Sequence, residues 1–145
     1  MNIKTAYLGE IEVQSSEIIT FTHGIPGFEE ETNFVLLPIE EKSMFQILQS
    51  VKTEGLAFIL TTPFEIIADY NFDLDEATIK ALKIDNENDV AVFTIVSLKD
   101  TLANSTVNLK APIILNTTNR QAKQVILDNG KFSIRHKLST ESKKG

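Results

Sequence analysis

Val90-Ala91-Val92-Phe93-Thr94-Ile95-Val96-Ser97 is the strongest strand signal in the chain. β-Branched and aromatic side chains dominate it, and they occupy odd and even positions alike. Both faces of such a strand need cover, so it belongs at the centre of a sheet. Upstream, Leu56 to Thr62 is a second continuous apolar run, closed by Pro63. Phe45 to Ser50 alternates in part, and Asn33 to Ile39 reads as a buried strand with Pro38 near its end. The charged turn Glu40 to Ser43 and the loop Lys52 to Gly55 separate these runs. Nearer the start, Ile3, Thr5 and Tyr7, then Gly9, then Ile11 and Val13 predict a hairpin. Glu17 to Phe21 and Ile66 to Tyr70 predict two short strands.

Downstream, Thr106 to Leu109 and Ala111 to Asn116 are apolar pieces split by Pro112. Proline cannot donate to a ladder, so it marks a bulge, an edge or a crossing between sheets. Gln124 to Leu127, the turn Asp128-Asn129-Gly130, and Phe132 to Arg135 predict a closing hairpin. A helix is predicted over about residues 74–83. Acids lie at its start, Lys80 and Lys83 near its end, and Leu74, Ala77, Thr78, Ala81 and Leu82 on its less polar face. Many short strands with one helix predict a mostly β, single-domain, antiparallel β-barrel-like fold over residues 1–138. They do not supply the βα alternation of a parallel sheet. Residues 139–145, small, polar and charged, predict a flexible tail.

One connection stands apart. In Phe21-Thr22-His23-Gly24-Ile25-Pro26-Gly27-Phe28-Glu29, Pro26 suits the second position of a type II turn. Gly27 supplies the positive φ that such a turn demands at its third position. Phe28 then either plugs the core or projects as an anchor.

The composition narrows the chemistry. With no cysteine there are no disulfides, no thiolate ligands and no cysteine nucleophile. The amino terminus lacks a signal pattern and no apolar run approaches a membrane span, so a soluble cytoplasmic protein is expected. Up to residue 100 six lysines face 18 acids, a balance of −12; beyond it eight lysines and arginines face only Asp128 and Glu141. The acidic body disfavours nucleic acid and favours basic partners. His23 and His136 are the only histidines, so a metal site would need carboxylates to complete it. Asp69, Asn71, Asp73 and Asp75 alternate as in a calcium loop, but Leu74 stands where glycine is needed and Lys80 where glutamate is needed. No phosphate-cradling glycine motif, nucleophile elbow or HExxH is present.

The segment Phe21 to Glu29 resembles the F-x-x-G-I-P-G-F-E segment of FliW, the flagellar assembly factor of bacteria. Asn108 to Asn116, followed by Gln124, resembles that family's N-L-x-A-P-I-x-x-N segment. The likeness extends over about residues 2–138. It implies a barrel-like domain with no catalytic activity, no cofactor, no small-molecule substrate, and no direct contact with nucleic acid or membrane. The implied partners are flagellin and CsrA, a small dimeric repressor of flagellin translation. Flagellin would occupy this protein as it accumulates and free CsrA to repress. After flagellin export, this protein would return to CsrA and relieve repression, by an allosteric route.

Ile25, Pro26, Gly27, Phe28, Glu29 and Glu30 become candidate partner-binding residues, with Phe28 as anchor. Asn108, Lys110, Pro112 and Asn116 either shape a second part of that surface or serve sheet geometry around a proline bulge. Exposed β-edges near Pro112 would then accept a partner strand. Glu29, Glu30, Glu31, Glu40 and Glu41 are candidates to lie beside the RNA-binding face of CsrA and weaken its hold on phosphate. Other readings are a flagellin-specific chaperone with no CsrA role, a small hydrolase or ligand-binding barrel using a histidine, and direct RNA binding by the basic tail.

Overall fold

The computed structural model describes residues 1–39, 43–128 and 130–138. The charged turn at Glu40 to Lys42, Asn129 and the predicted tail lie outside the described residues. The amino-terminal hairpin forms as expected, with β1 (Asn2–Lys4) antiparallel to β2 (Glu10–Glu12) and Ile3 opposite Ile11. Then follow β3 (Ile19–Phe21), β4 (Asn33–Pro38), β5 (Phe45–Ser50), β6 (Ala57–Thr61), α1 (Glu76–Leu82) and β7 (Val90–Ser97). The chain continues through β8 (Thr106–Val107), β9 (Ile113–Asn116), β10 (Gln121–Gln124) and β11 (His136–Lys137).

The run Val90 to Ser97 is central, as its two apolar faces require. β7 pairs with β6, β8 and β9, all antiparallel. Pairing of β7 with β9 closes a seven-stranded barrel in the order β7-β6-β5-β4-β3-β10-β9. The pairings are antiparallel except for β10 against β3, which is parallel. Ala91, Phe93 and Ile95 face a core built from Phe21, Ile25, Phe34, Leu48 and Leu60. Val92 and Val96 face the opposite way, into a cluster with Tyr70, Val107, Leu109 and Leu127. A third cluster lies under the hairpin, where Ile3 and Val13 pack on Val35.

β8 and β9 are two pieces of one run along β7. Val96 lies opposite Val107 and Phe93 opposite Ile113, so residues 108–112 bulge out against the two residues 94–95. Pro112 therefore marks a bulge, one of the three expected outcomes. It does not leave an open edge. β9 lies between β7 and β10, and β8 between β7 and β11. The carbonyls of Pro112 and Lys110 accept from the Val125 and Leu127 N–H groups at 3.0 and 2.8 Å.

Those two bonds also explain why the predicted closing hairpin is absent. The turn signal at 128–130 is local, whereas the 124–127 segment finds its backbone partners along the bulge. Phe132 instead stacks on Tyr70, with ring centroids 4.5 Å apart, and the chain reaches β8 only at His136. Ile66 to Tyr70 is not a strand. Pro63 opens a short 3-10 turn, and its carbonyl accepts from both Ile66 and Ile67. The helix starts at Glu76, where the Asp75 carboxylate accepts the Thr78 N–H at 2.8 Å, and ends on Lys83 at φ 56°. Thr78 and Leu82 face inward, but the predicted face is narrower than expected: Ala77 and Ala81 are exposed and Ile79 is half-buried.

Candidate functional site

The connection from β3 to β4 is a chain of tight turns. Phe21 O accepts from Gly24 N at 2.8 Å, Ile25 O from Phe28 N at 2.6 Å, and Phe28 O from Glu31 N at 3.0 Å. Gly27, third in the middle turn, has φ +89°, as a Pro-Gly type II turn requires. Gly24, at φ +72°, leaves no room for any other residue. A Cβ there would lie 2.5 Å from the Glu29 carbonyl oxygen and 2.6 Å from its Cα.

The turns sort the side chains. Ile25 is 2% exposed and locks the loop into the barrel core. Phe28 is 42% exposed. It neither plugs the core nor stands free. Its ring sits edge-on to Phe58 at 5.5 Å, the outermost member of a row that continues through Phe34 to Phe21. A rigid backing with an open outer face suits an interface anchor. Pro26, Gly27, Glu29 and Glu30 are exposed around it.

The acids are not equivalent. Glu31 accepts from Ser50 Oγ and Thr53 Oγ1, each at 2.6 Å, and these bonds hold its carboxyl below the usual glutamate range. Glu29 accepts from Gly27 N at 3.1 Å, steadying the turn. Glu30 has no partner among the described residues. A groove of about 410 Å³ runs beside the loop, between Pro26, Ala81 and Lys123.

The second predicted segment divides. Asn116 is 1% exposed, and its Nδ2 donates to the carbonyls of Leu82 at 2.8 Å and Lys83 at 3.2 Å. It ties the end of α1 to β9. Pro112 is buried as well. These two are buried in the sheet, which is the second of the two roles expected for them. Asn108 caps its own bulge, its Oδ1 accepting from Lys110 N and Ala111 N at 3.1 Å each. Of this group only Asn108 and Lys110 are half-buried. Gln124, quoted with the motif, donates to Ala111 O at 2.9 Å and closes the bulge from the far side.

One residue escaped the sequence reading. Gln49 is fully buried; its Oε1 accepts from Ala6 N at 2.9 Å, and its Nε2 lies 3.1 Å from the Ser50 and Glu54 carbonyls. It joins the hairpin tip to the 50–56 loop, whose Ser50 and Thr53 hold Glu31. Its signal was a glutamine in a strand whose alternate neighbour, Ile47, is apolar. Among the described residues no group of three or more histidines and carboxylates is placed to hold a metal ion, and no helix is long and apolar enough to cross a membrane.

The geometry can be set beside known proteins. A model of the FliW protein family matches residues 2–138. The flagellar assembly factor FliW of Bacillus subtilis (strain 168) is 47% identical over 142 residues, 98% of this chain and 99% of that protein. That of Clostridium novyi (strain NT) is 43% identical over 141 residues, 97% of this chain and 99% of that protein. A crystal structure of the flagellar assembly factor FliW superposes with a TM-score of 0.91 at 43% identity, covering 97% of this chain and 99% of the other.

Proposed function

The chain belongs to the FliW family, and from that premise we propose that it is a flagellar assembly factor working in the cytoplasm as a non-catalytic partner switch. It binds flagellin and it binds CsrA. Occupancy by flagellin frees CsrA to repress flagellin translation, and loss of flagellin returns this protein to CsrA and relieves repression. Its action on CsrA is allosteric, leaving the RNA site unoccupied.

The observation that carries this reading is the placement of Phe28. A loop anchored by a 2% exposed Ile25 holds an aromatic ring 42% open to solvent, with Glu29 and Glu30 exposed beside it. An exposed ring held on rigid backing, rimmed by charge, suits protein contact. It contributes nothing to bond making. These two exposed acids suit a basic partner, whose affinity for RNA phosphate they would lower through space.

The test is a competition. Flagellin is titrated into a preformed complex of this protein with CsrA, and CsrA release is followed by size-exclusion chromatography. Release in proportion to added flagellin is the expected result. A stable three-component complex would refute the switch, and failure to bind CsrA at all would leave a flagellin chaperone. Phe28→Ala is expected to weaken at least one of the two complexes by about thirtyfold, the scale of a hot-spot truncation.

A further inference from the structure

β6 and β7 part company halfway along β7. Their register runs from Ile59 opposite Val96 to Thr61 opposite Thr94 and stops there. Pro63 then turns the chain away in a 3-10 turn. The first half of β7, Val90 to Phe93, pairs with β9 on one side only. Among the described residues no strand pairs with it on the other. The Ile95 carbonyl accepts the Asn108 N–H on the β8 side. Alternation along the strand therefore turns the N–H and C=O of Val92 to the open side.

Among the described residues, side chains do not fill that side. A groove of about 920 Å³ runs along Val90 to Phe93, and Phe64, Phe72, Leu74, Ile79 and Ile84 are among the residues that line it. Phe64 is 45% exposed. Asp73, Asp85 and Glu87 line the groove, and among the described residues no lysine or arginine does. The site thus combines an unpaired backbone edge, apolar walls and an anionic rim. An edge of this kind is a template for an added strand.

We propose that the open edge of β7 is a docking site for an extended, cationic segment of a partner protein. The segment adds as a strand beside Val92 and sends alternate apolar side chains between the groove walls. Its lysines or arginines meet Asp73, Asp85 and Glu87. A helix would leave the Val92 amide and carbonyl unpaired, so the backbone favours a strand. The proposal does not depend on the Phe28 loop or on the identity of the partners named above.

The probe is a blocked seven-residue peptide alternating lysine and valine, fluorescently labelled, with two twins N-methylated on one or the other set of alternate residues. We expect the unmethylated peptide to bind and to slow hydrogen exchange of the Val92 amide at least tenfold at saturation. One twin, with methyl groups facing β7, is expected to lose binding while the other retains it. Replacing Asp85→Lys with Glu87→Lys, both on the exposed connection, should weaken the peptide at least tenfold. Equal binding of both twins would overturn the proposal, because charge alone would then account for it. Unchanged Val92 exchange at saturation would also overturn it. So would concentration-dependent protection of Val92 without peptide, which would assign the edge to a second copy of this chain. Val92→Pro removes the edge N–H. If that variant does not fold, the exchange measurement on the unaltered protein still decides.

Discussion

Gly24 and Gly27 sit three residues apart in one loop, both at positive φ, yet they are not equally replaceable. An alanine at Gly27 meets nothing within 4 Å, so it bears only the conformational cost of a left-handed residue, roughly 1–2 kcal/mol. An alanine at Gly24 bears the same cost and also drives its Cβ to 2.5 Å from the Glu29 carbonyl oxygen. The obstacle is backbone, so no side-chain rotation relieves it. The turn must open, and the group most directly coupled to it is Ile25, the next residue, whose C=O closes the following turn and whose side chain is 2% exposed. Withdrawing that side chain from the core sacrifices about 1.5–3 kcal/mol. Gly24→Ala is therefore expected to destabilise by about 2.5–5 kcal/mol and Gly27→Ala by about 1–2 kcal/mol, from the same two terms. Urea unfolding with an unchanged slope measures both. If the two variants differ by less than about 0.5 kcal/mol, within ordinary scatter for such pairs, the claim that Glu29 closes over Gly24 is wrong.

Three further outcomes are expected. Gln49→Leu keeps the volume but strands the Ala6 N–H and the Glu54 carbonyl. Both lie next to solvent, so partial rehydration limits the loss to roughly 2–3 kcal/mol, and native-state exchange should quicken at the Ala6 amide first. Glu31 has a folded-state pKa below its unfolded value. Its contribution is therefore complete above the ordinary glutamate range and is lost as pH falls through the folded value; Glu31→Gln should flatten the acid limb of a stability–pH curve, as should Ser50→Ala with Thr53→Val. Tyr70 runs the other way. Burial raises its phenol from 10.0 to about 12, so its contribution holds below pH 10 and is lost as pH rises toward 12. Tyr70→Phe should remove that alkaline limb and, with the bond to Leu109 O at 2.7 Å, about 1 kcal/mol at neutral pH, measured by denaturation across pH and by ultraviolet titration of the wild type.

The Pro-Gly turn, the first hairpin, the individual strands β4 to β7 and the helix were legible because each is specified within a dozen residues. Pro26 and Gly27 allow few backbones, and Val90 to Ser97 can be buried on both faces only at the centre of a sheet. The illegible parts were set by long-range partners. The residues at 124–127 carry a local hairpin signal that loses to carbonyls at 110 and 112. Ile66 and Ile67 look like a strand until Pro63 collects both of their N–H groups. Asn116 looks like a surface asparagine in a motif, yet a helix end 33 residues away in sequence claims its amide. The open edge was sought near Pro112, the proline in the sheet, and lies instead beside Pro63, the proline that ends a strand. A proline removes one donor where it sits, but by diverting its whole strand it unpairs several residues of the neighbour.

The same distinction between local pattern and tertiary placement applies to charge. The run Glu29-Glu30-Glu31 reads as one acidic patch of three equal members. In the fold, Glu31 is held by two hydroxyls, Glu29 is turned back onto Gly27, and Glu30 alone is without a partner among the described residues. If the loop faces CsrA as proposed, Glu30→Gln removes charge and little else, whereas Glu31→Gln acts first through the loop's own stability. Salt separates the two. With a screening length of about 8 Å at physiological ionic strength, the effect of Glu30→Gln on partner affinity should shrink steeply as salt rises. The effect of Glu31→Gln, resting on short hydrogen bonds within the chain, should persist. Equal salt dependence in both variants would mean that the three acids act as one field, and that the hydrogen bonds to Ser50 and Thr53 have no bearing on the interface.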